Sequence, residues 1–247
     1  MKKFGILLVL VLPAVSIILL FFTTGVSSRP FNADEFSANL SRIWVQPKTI
    51  EPVLKNYPFP LLSPAVTIAE GFEAYDGTLH DTPGDFHWAI DYVQTAGGAF
   101  LEFPVFSAHD GVVFQGEGNM WGKFVVVKDR SKISQGYNTL YSHLDSIPTR
   151  IPFMQFDING SNGVLLPAGS YIGQASTTGN AKGIPQLHFE FHTVDLKTGA
   201  TLRGDPYGVY QRLSSGFYPQ PGDSLEGLLH YWETDNPFFA GSLPETK

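Results

Sequence analysis

Pro185-Gln186-Leu187-His188-Phe189-Glu190-Phe191-His192 is the stretch on which the fold turns. Leu187, Phe189 and Phe191 alternate with polar residues, the period-two pattern of a half-buried strand. On such a strand Gln186, His188, Glu190 and His192 share one face while the three apolar side chains pack inward. A row of polar side chains that includes two imidazoles is costly on a core strand unless something uses it. A metal ion is the user this chemistry fits.

Working outward, apolar and β-branched runs recur at short intervals. They fall at residues 86–93, 111–114, 123–127, 139–144 and 170–173, separated by turn clusters at 116–122, 160–163 and 178–183. No helical periodicity lies between them. Gly 25 and Pro 18 in a chain of 247 residues agree with many turns. The expected fold is therefore mainly β: a compact antiparallel sheet, sandwich or partly open barrel. Residues 146–166 are long for a hairpin connection and read as an insertion over one end of the sheet. A hydrophobic content of 43% with 14% aromatics is enough to bury a real core.

Several classes are excluded by composition. The net charge is −7 and no basic stripe appears, which argues against nucleic acid as a partner. There are no cysteines, hence no disulfides, no thiolate zinc site, no cysteine nucleophile and no lipid-modified N-terminal cysteine.

At the N-terminus Lys2 and Lys3 precede an uncharged apolar run, residues 4–22, the form of an export signal. The run is also just long enough to span a bilayer. Val26-Ser27-Ser28 offers a small-residue cleavage site before Arg29, so a cleaved signal and a retained anchor are both open. Either way the rest of the chain is expected outside the cytoplasm, in the cell envelope or beyond it. Residues 29–58 read as a linker or arm, residues 59–205 as the β domain, and residues 206–247 as an aromatic-rich extension that covers it.

A second polar cluster is His87-Trp88-Ala89-Ile90-Asp91. Residues four apart on a strand lie on one face, so His87 and Asp91 are expected to point together. With His188 they make a three-ligand set suited to Zn²⁺ that leaves a fourth position open, as catalytic sites do. A third cluster, Tyr141-Ser142-His143-Leu144, places Tyr141 and His143 on one strand face while Leu140 or Leu144 turns inward. An unligated histidine beside such a centre can orient water, take its proton or stabilise an oxyanion.

The motifs H-x-x-x-D, G-V-V, a Gly-rich loop before a Val-rich strand, Y-x-H-L, I-G-x-x-x-x-T-G and L-H-F-E occur in that order. In this the chain resembles the lysostaphin/LytM-type zinc endopeptidases of peptidoglycan. The resemblance covers residues 59–205. It implies a compact antiparallel β fold with a groove, a Zn²⁺ cofactor and peptidoglycan peptides as partners. It also implies His87, Asp91 and His188 as metal ligands and His143 as a catalytic histidine. Trp121 falls where that family often carries an aromatic beside the groove, and Tyr141 belongs to the same substrate-facing set. One position departs from the pattern: Gln186 stands where the family carries a second catalytic histidine. Glutamine hydrogen-bonds but carries no proton near neutral pH, so the alternative to an enzyme is a catalytically weak module that binds wall peptides or regulates another hydrolase. Ile184 also lengthens the loop entering this strand. Glu190, on the His188 face, is a candidate to orient a ligand. His80, His109, His192 and His230 fit no ligand position and are expected at the surface or in the framework.

Overall fold

The structure, a computed structural model, describes residues 52–60, 64–72, 87–129, 135–154, 163–195, 201–208 and 218–237. The apolar N-terminal run, most of residues 29–58 and His80 lie outside them. The described residues form strands and no helix: β1 (Val66–Glu70), β2 (Ile90–Ala96), β3 (Ala99–Leu101), β4 (Phe103–Phe106), β5 (Gly111–Gly118), β6 (Gly122–Lys128), β7 (Gln135–Asp145), β8 (Val164–Leu166), β9 (Tyr171–Ala175), β10 (Leu187–Asp195) and β11 (Thr201–Gly204). All pair antiparallel in one sheet whose main path runs β1-β2-β10-β7-β6-β5-β8. β3, β4, β9 and β11 are attached beside that path. The mainly β, antiparallel architecture expected from the alternating runs is the one observed. The end of the long 146–166 connection is itself a strand, since β8 pairs with β5.

β10 sits centrally, between β2 and β7. Its alternation resolves as the sequence requires. Leu187, Phe189 and Phe191 are fully buried in the apolar core, while His188, Glu190 and His192 occupy the opposite face. Phe189 lies on Tyr141 and on Trp232, with ring centroids 5.2 and 6.3 Å away. Trp232 in turn meets Tyr57 at 5.1 Å, and Phe59 meets Tyr92 at 4.8 Å. The chain before the sheet and the chain after it are tied together there, because Val53 and Leu54 both donate backbone hydrogen bonds to the Tyr231 carbonyl.

β7 is the strand that gives the sheet its shape. From residue 135 to 142 it pairs with β10, and at Leu144 and Asp145 it pairs with β9 instead. The change of partner happens at His143, whose φ of 60° lies in the left-handed region. On the other side of β7 the register to β6 jumps from Val125↔Tyr141 to Lys123↔Leu144. Ser142 and His143 thus stand opposite Phe124 alone, which is a β-bulge. Tyr141 and Leu144 are both fully buried although they are an odd number of residues apart. Only the extra residue makes that parity possible.

Trp232 is completely buried and packed on Tyr57, Phe189 and Tyr207. Trp232→Ala is expected to cost roughly 3–5 kcal/mol of stability, read from urea denaturation. A cost below about 1 kcal/mol, the range of ordinary surface substitutions, would show that the segment around residue 232 is not part of the cooperative core.

Candidate metal centre

Strand register assembles the site. His188 of β10 pairs across to Asp91 of β2 on one side and to Ser142 of β7 on the other. Directly opposed residues project to the same face, so a carboxylate, an imidazole and a hydroxyl stand in one row. His87 comes from outside the strand: β2 begins only at Ile90, and the expected shared strand face for His87 and Asp91 does not exist. A coil carries the imidazole instead. Trp88 anchors that coil against Phe72 at 5.7 Å, and His87 Nδ1 donates to the Gly71 carbonyl at 3.0 Å. The i to i+4 pair meets all the same, with His87 Nε2 3.1 Å from Asp91 Oδ1.

His188 Nδ1 lies 2.9 Å from that same Asp91 oxygen and 3.2 Å from His87 Nε2. The three groups form the cluster able to hold a cation among the described residues. A carbonyl only accepts, so His87 carries its proton on Nδ1 and leaves Nε2 bare. The carboxylate of Glu190, 3.2 Å from His188 Nε2, fixes the proton there and leaves Nδ1 bare. Two nitrogen lone pairs and one carboxylate oxygen then converge in a buried place, which is tolerable only with positive charge between them. In a tetrahedral site with bonds of about 2.0–2.1 Å, ligand atoms stand about 3.3 Å apart. The donor set observed has nearly that spacing and suits Zn²⁺ in chemistry as well as size.

The ionisation of these groups says the same. Burial opposes charge on Asp91, but the His87 and His188 rings overcome it and hold its carboxyl well below the usual carboxylate range. Burial likewise opposes protonation of His188, yet Asp91 and Glu190 lift its pKa to about 10. His87 is also raised, mainly by Asp91 acting against burial. Without a metal, His188 keeps its proton through the neutral range.

His143 stands next to this cluster, its ring centroid 5.7 Å from that of His188. Its Nδ1 donates to the Thr178 carbonyl at 2.8 Å, so Nε2 is the free ring nitrogen. Burial and the neighbouring His188 charge lower its pKa, which makes it neutral where His188 is still protonated. Its backbone is held from both sides, by the Trp121 carbonyl at 2.9 Å and the Ser176 amide at 2.8 Å.

Gln186 precedes β10, bridges to Ser176 and is buried, and its Oε1 makes no hydrogen bond among the described residues. Trp121 is about one-third exposed, and its indole N–H donates to Glu190 Oε1 at 3.2 Å. Tyr141 is the expectation the structure corrects. The bulge at residues 142–143 breaks the alternation that would have put it beside His143. Its ring is fully buried, and its hydroxyl accepts from the Ala108 amide at 2.8 Å and from Thr139 at 3.0 Å. No substrate reaches it there. The carbonyls of Gly71 and Thr178, which set the two tautomers, left no mark in the sequence because backbone atoms have no residue code. Thr178 falls inside the I-G-x-x-x-x-T-G motif, the one available hint. His109 is buried and bonded to Thr139, a framework residue, and His192 is bonded to Glu190.

An antiparallel β domain that presents a His-Asp-His donor set, with His188 partly exposed and a further histidine alongside, has the makings of a metallopeptidase. Residues 85–201 match the model of Peptidase family M23, a span containing His87, Asp91, His143, Gln186 and His188. In that span the chain is similar to that peptidase family. Among solved structures, a mutant of the catalytic domain of the prophage-encoded M23 protein EnpA from Enterococcus faecalis is similar at 19% identity. The alignment covers 65% of this chain and 96% of that one, with a TM-score of 0.36. No curated protein matches the chain.

Since Asp91 and Glu190 lift the pKa of His188 to about 10, a metal must displace a proton from it. Apparent Zn²⁺ affinity is expected to rise with pH through the neutral range, by about tenfold per pH unit for each proton displaced. Calorimetry in buffers of different ionisation enthalpy should show the released protons. An affinity independent of pH between 6 and 8 would contradict the assignment.

Proposed function

We propose that the chain is an exported zinc endopeptidase that hydrolyses peptide bonds in peptidoglycan. The observation that carries this reading is the convergence of His87 Nε2, Asp91 Oδ1 and His188 Nδ1 beside a histidine that is not one of them. Those three atoms would hold the ion. A Zn²⁺ bound there supplies Lewis acidity to a coordinated water and to the scissile carbonyl. The remaining chemistry belongs to the chain. His143, neutral and with Nε2 free, accepts a proton from the attacking water and returns it to the leaving amine. Thr178 keeps the ring in the required tautomer. Gln186 contributes a hydrogen bond and no proton. Trp121 offers a partly exposed aromatic face to substrate. Lys2, Lys3 and the apolar run at residues 4–22 support export, and membrane association would come through that segment if it is retained.

A second reading, a module that binds wall peptides without turning them over, is favoured by Gln186 alone. General acid–base help is worth about 10²–10⁴-fold in rate, so its partial loss separates a slow enzyme from a binder only by measurement. Full-length protein is loaded with zinc, its metal content is quantified, and it is incubated with purified peptidoglycan while new free amines are followed. Chelator-sensitive release is expected from the native protein, with Gln186→His faster by about 10²-fold. Zinc bound without release, and activity only in Gln186→His, would overturn the enzyme in favour of the binding module.

A further inference from the structure

Glu190 is buried, with only 2% of its surface exposed, and collects hydrogen bonds from four side chains. Oε1 accepts from His188 Nε2 and from Trp121 Nε1, each at 3.2 Å. Oε2 accepts from His192 Nε2 at 2.6 Å and from Arg203 Nε at 2.8 Å. Burial alone would penalise this charge, and the surrounding donors hold its carboxyl well below the usual range. His192 and Arg203 sit opposite one another in the β10–β11 register and anchor one side of the carboxylate to the sheet. The other side is shared between a metal-site imidazole and a residue of the turn joining β5 to β6.

That turn is itself locked. Gly122 has φ 61°, and a side chain there would run into Thr178 and Gly179. The Met120 carbonyl accepts from the Asn180 amide at 2.9 Å, and Thr178 Oγ1 accepts from the Lys123 amide at 3.0 Å. The turn therefore lies tightly on the loop whose Thr178 carbonyl fixes the tautomer of His143. Trp121 joins the two halves of the site. Its indole N–H reaches Glu190 and through it His188, and its carbonyl accepts the His143 amide.

We propose that Trp121 is a positioning residue of the metal centre, holding His188 in its ligating orientation through Glu190 while its main chain seats His143. The inference rests on the reading of His87, Asp91 and His188 as a metal site and goes beyond it, since it assigns a role to an aromatic that touches neither ion nor reacting atoms. Outer partners of a ligating histidine fix its tautomer and ring orientation, and their loss typically lowers metal affinity 10–100-fold. The indole N–H is the only atom of Trp121 that does this work. Phenylalanine deletes it and leaves the backbone carbonyl in place.

The test uses the full chain in detergent and reads Zn²⁺ affinity by competition with a chromophoric chelator, beside the melting temperature of the metal-free protein. Trp121→Phe is expected to weaken zinc binding about tenfold with the metal-free melting temperature unchanged. Glu190→Gln is expected to weaken it as well. The double variant should lose no more than the larger single loss, because both changes break one bridge. Wild-type affinity in Trp121→Phe, or losses that simply add, would overturn the proposal. If Glu190→Gln does not fold, Trp121→Phe decides alone. A wild-type protein that takes up zinc yet releases no amines from peptidoglycan defeats the peptidase reading without touching this result. A wild-type protein that takes up no zinc defeats both.

Discussion

A single ionised carboxylate, buried between two imidazoles, organises this protein. Asp91 is 2% exposed and touches His87 Nε2 and His188 Nδ1 with the same oxygen. Burying an anion so deeply is unfavourable unless positive charge meets it at close range. That requirement dictates much else. It needs β2 and β10 in one register, since a slip of one residue would carry His188 to the core face and Phe189 to the site. It needs the coil before β2 pinned at Gly71, so that the His87 ring turns toward Asp91. A second buried carboxylate, Glu190, is then needed to keep His188 presenting Nδ1 and not Nε2. Each demand follows from the one before it.

The sheet meets a second constraint at His143. A regular β7 would remain paired with β10 along its whole length, and its residues would alternate strictly. By taking φ to 60° there, the chain inserts one residue, moves β7 from β10 to β9, and turns Ser142 and His143 away from the core in succession. A left-handed histidine costs on the order of 1–2 kcal/mol. Three contacts offset it: the Trp121 carbonyl on its amide, the Ser176 amide on its carbonyl, and the Thr178 carbonyl on its ring. Strain of this kind, over-determined by its surroundings, places the imidazole where alternation could not.

Much of this was legible from residues alone, and the failures share one cause. The strands with clean alternation or β-branched runs, β5, β6, β7, β9 and β10, could be read because side-chain period two reports directly on burial. The short strands β3, β4, β8 and β11 carry too few residues to show a period. Among the site residues, His87, Asp91 and His188 were picked out by type and by the order of motifs, and the structure brings them together. His87 nevertheless shares no strand with Asp91, because a coil anchored through Trp88 and Gly71 carries it. Tyr141 was misplaced for the related reason that parity assumes no bulge, and a bulge set by left-handed φ at a non-glycine leaves no residue-type signal. Sequence patterns report regular backbone, and this site is built where the backbone is irregular.

The remaining question is how proton traffic works with one histidine free. Burial depresses the pKa of His143. As a base this makes it weaker, and once protonated it makes the ring a stronger acid, readier to release its proton to a leaving amine. In the proposed reaction both duties fall on the same Nε2 in turn, as they do wherever one group serves as base and then as acid. Gln186 cannot relieve it of either. What the amide offers is Oε1, a buried acceptor with no partner among the described residues, and such an atom costs about 1–3 kcal/mol when left unmet. In the proposed reaction the departure at Gln186 therefore leaves the proton traffic to His143 alone.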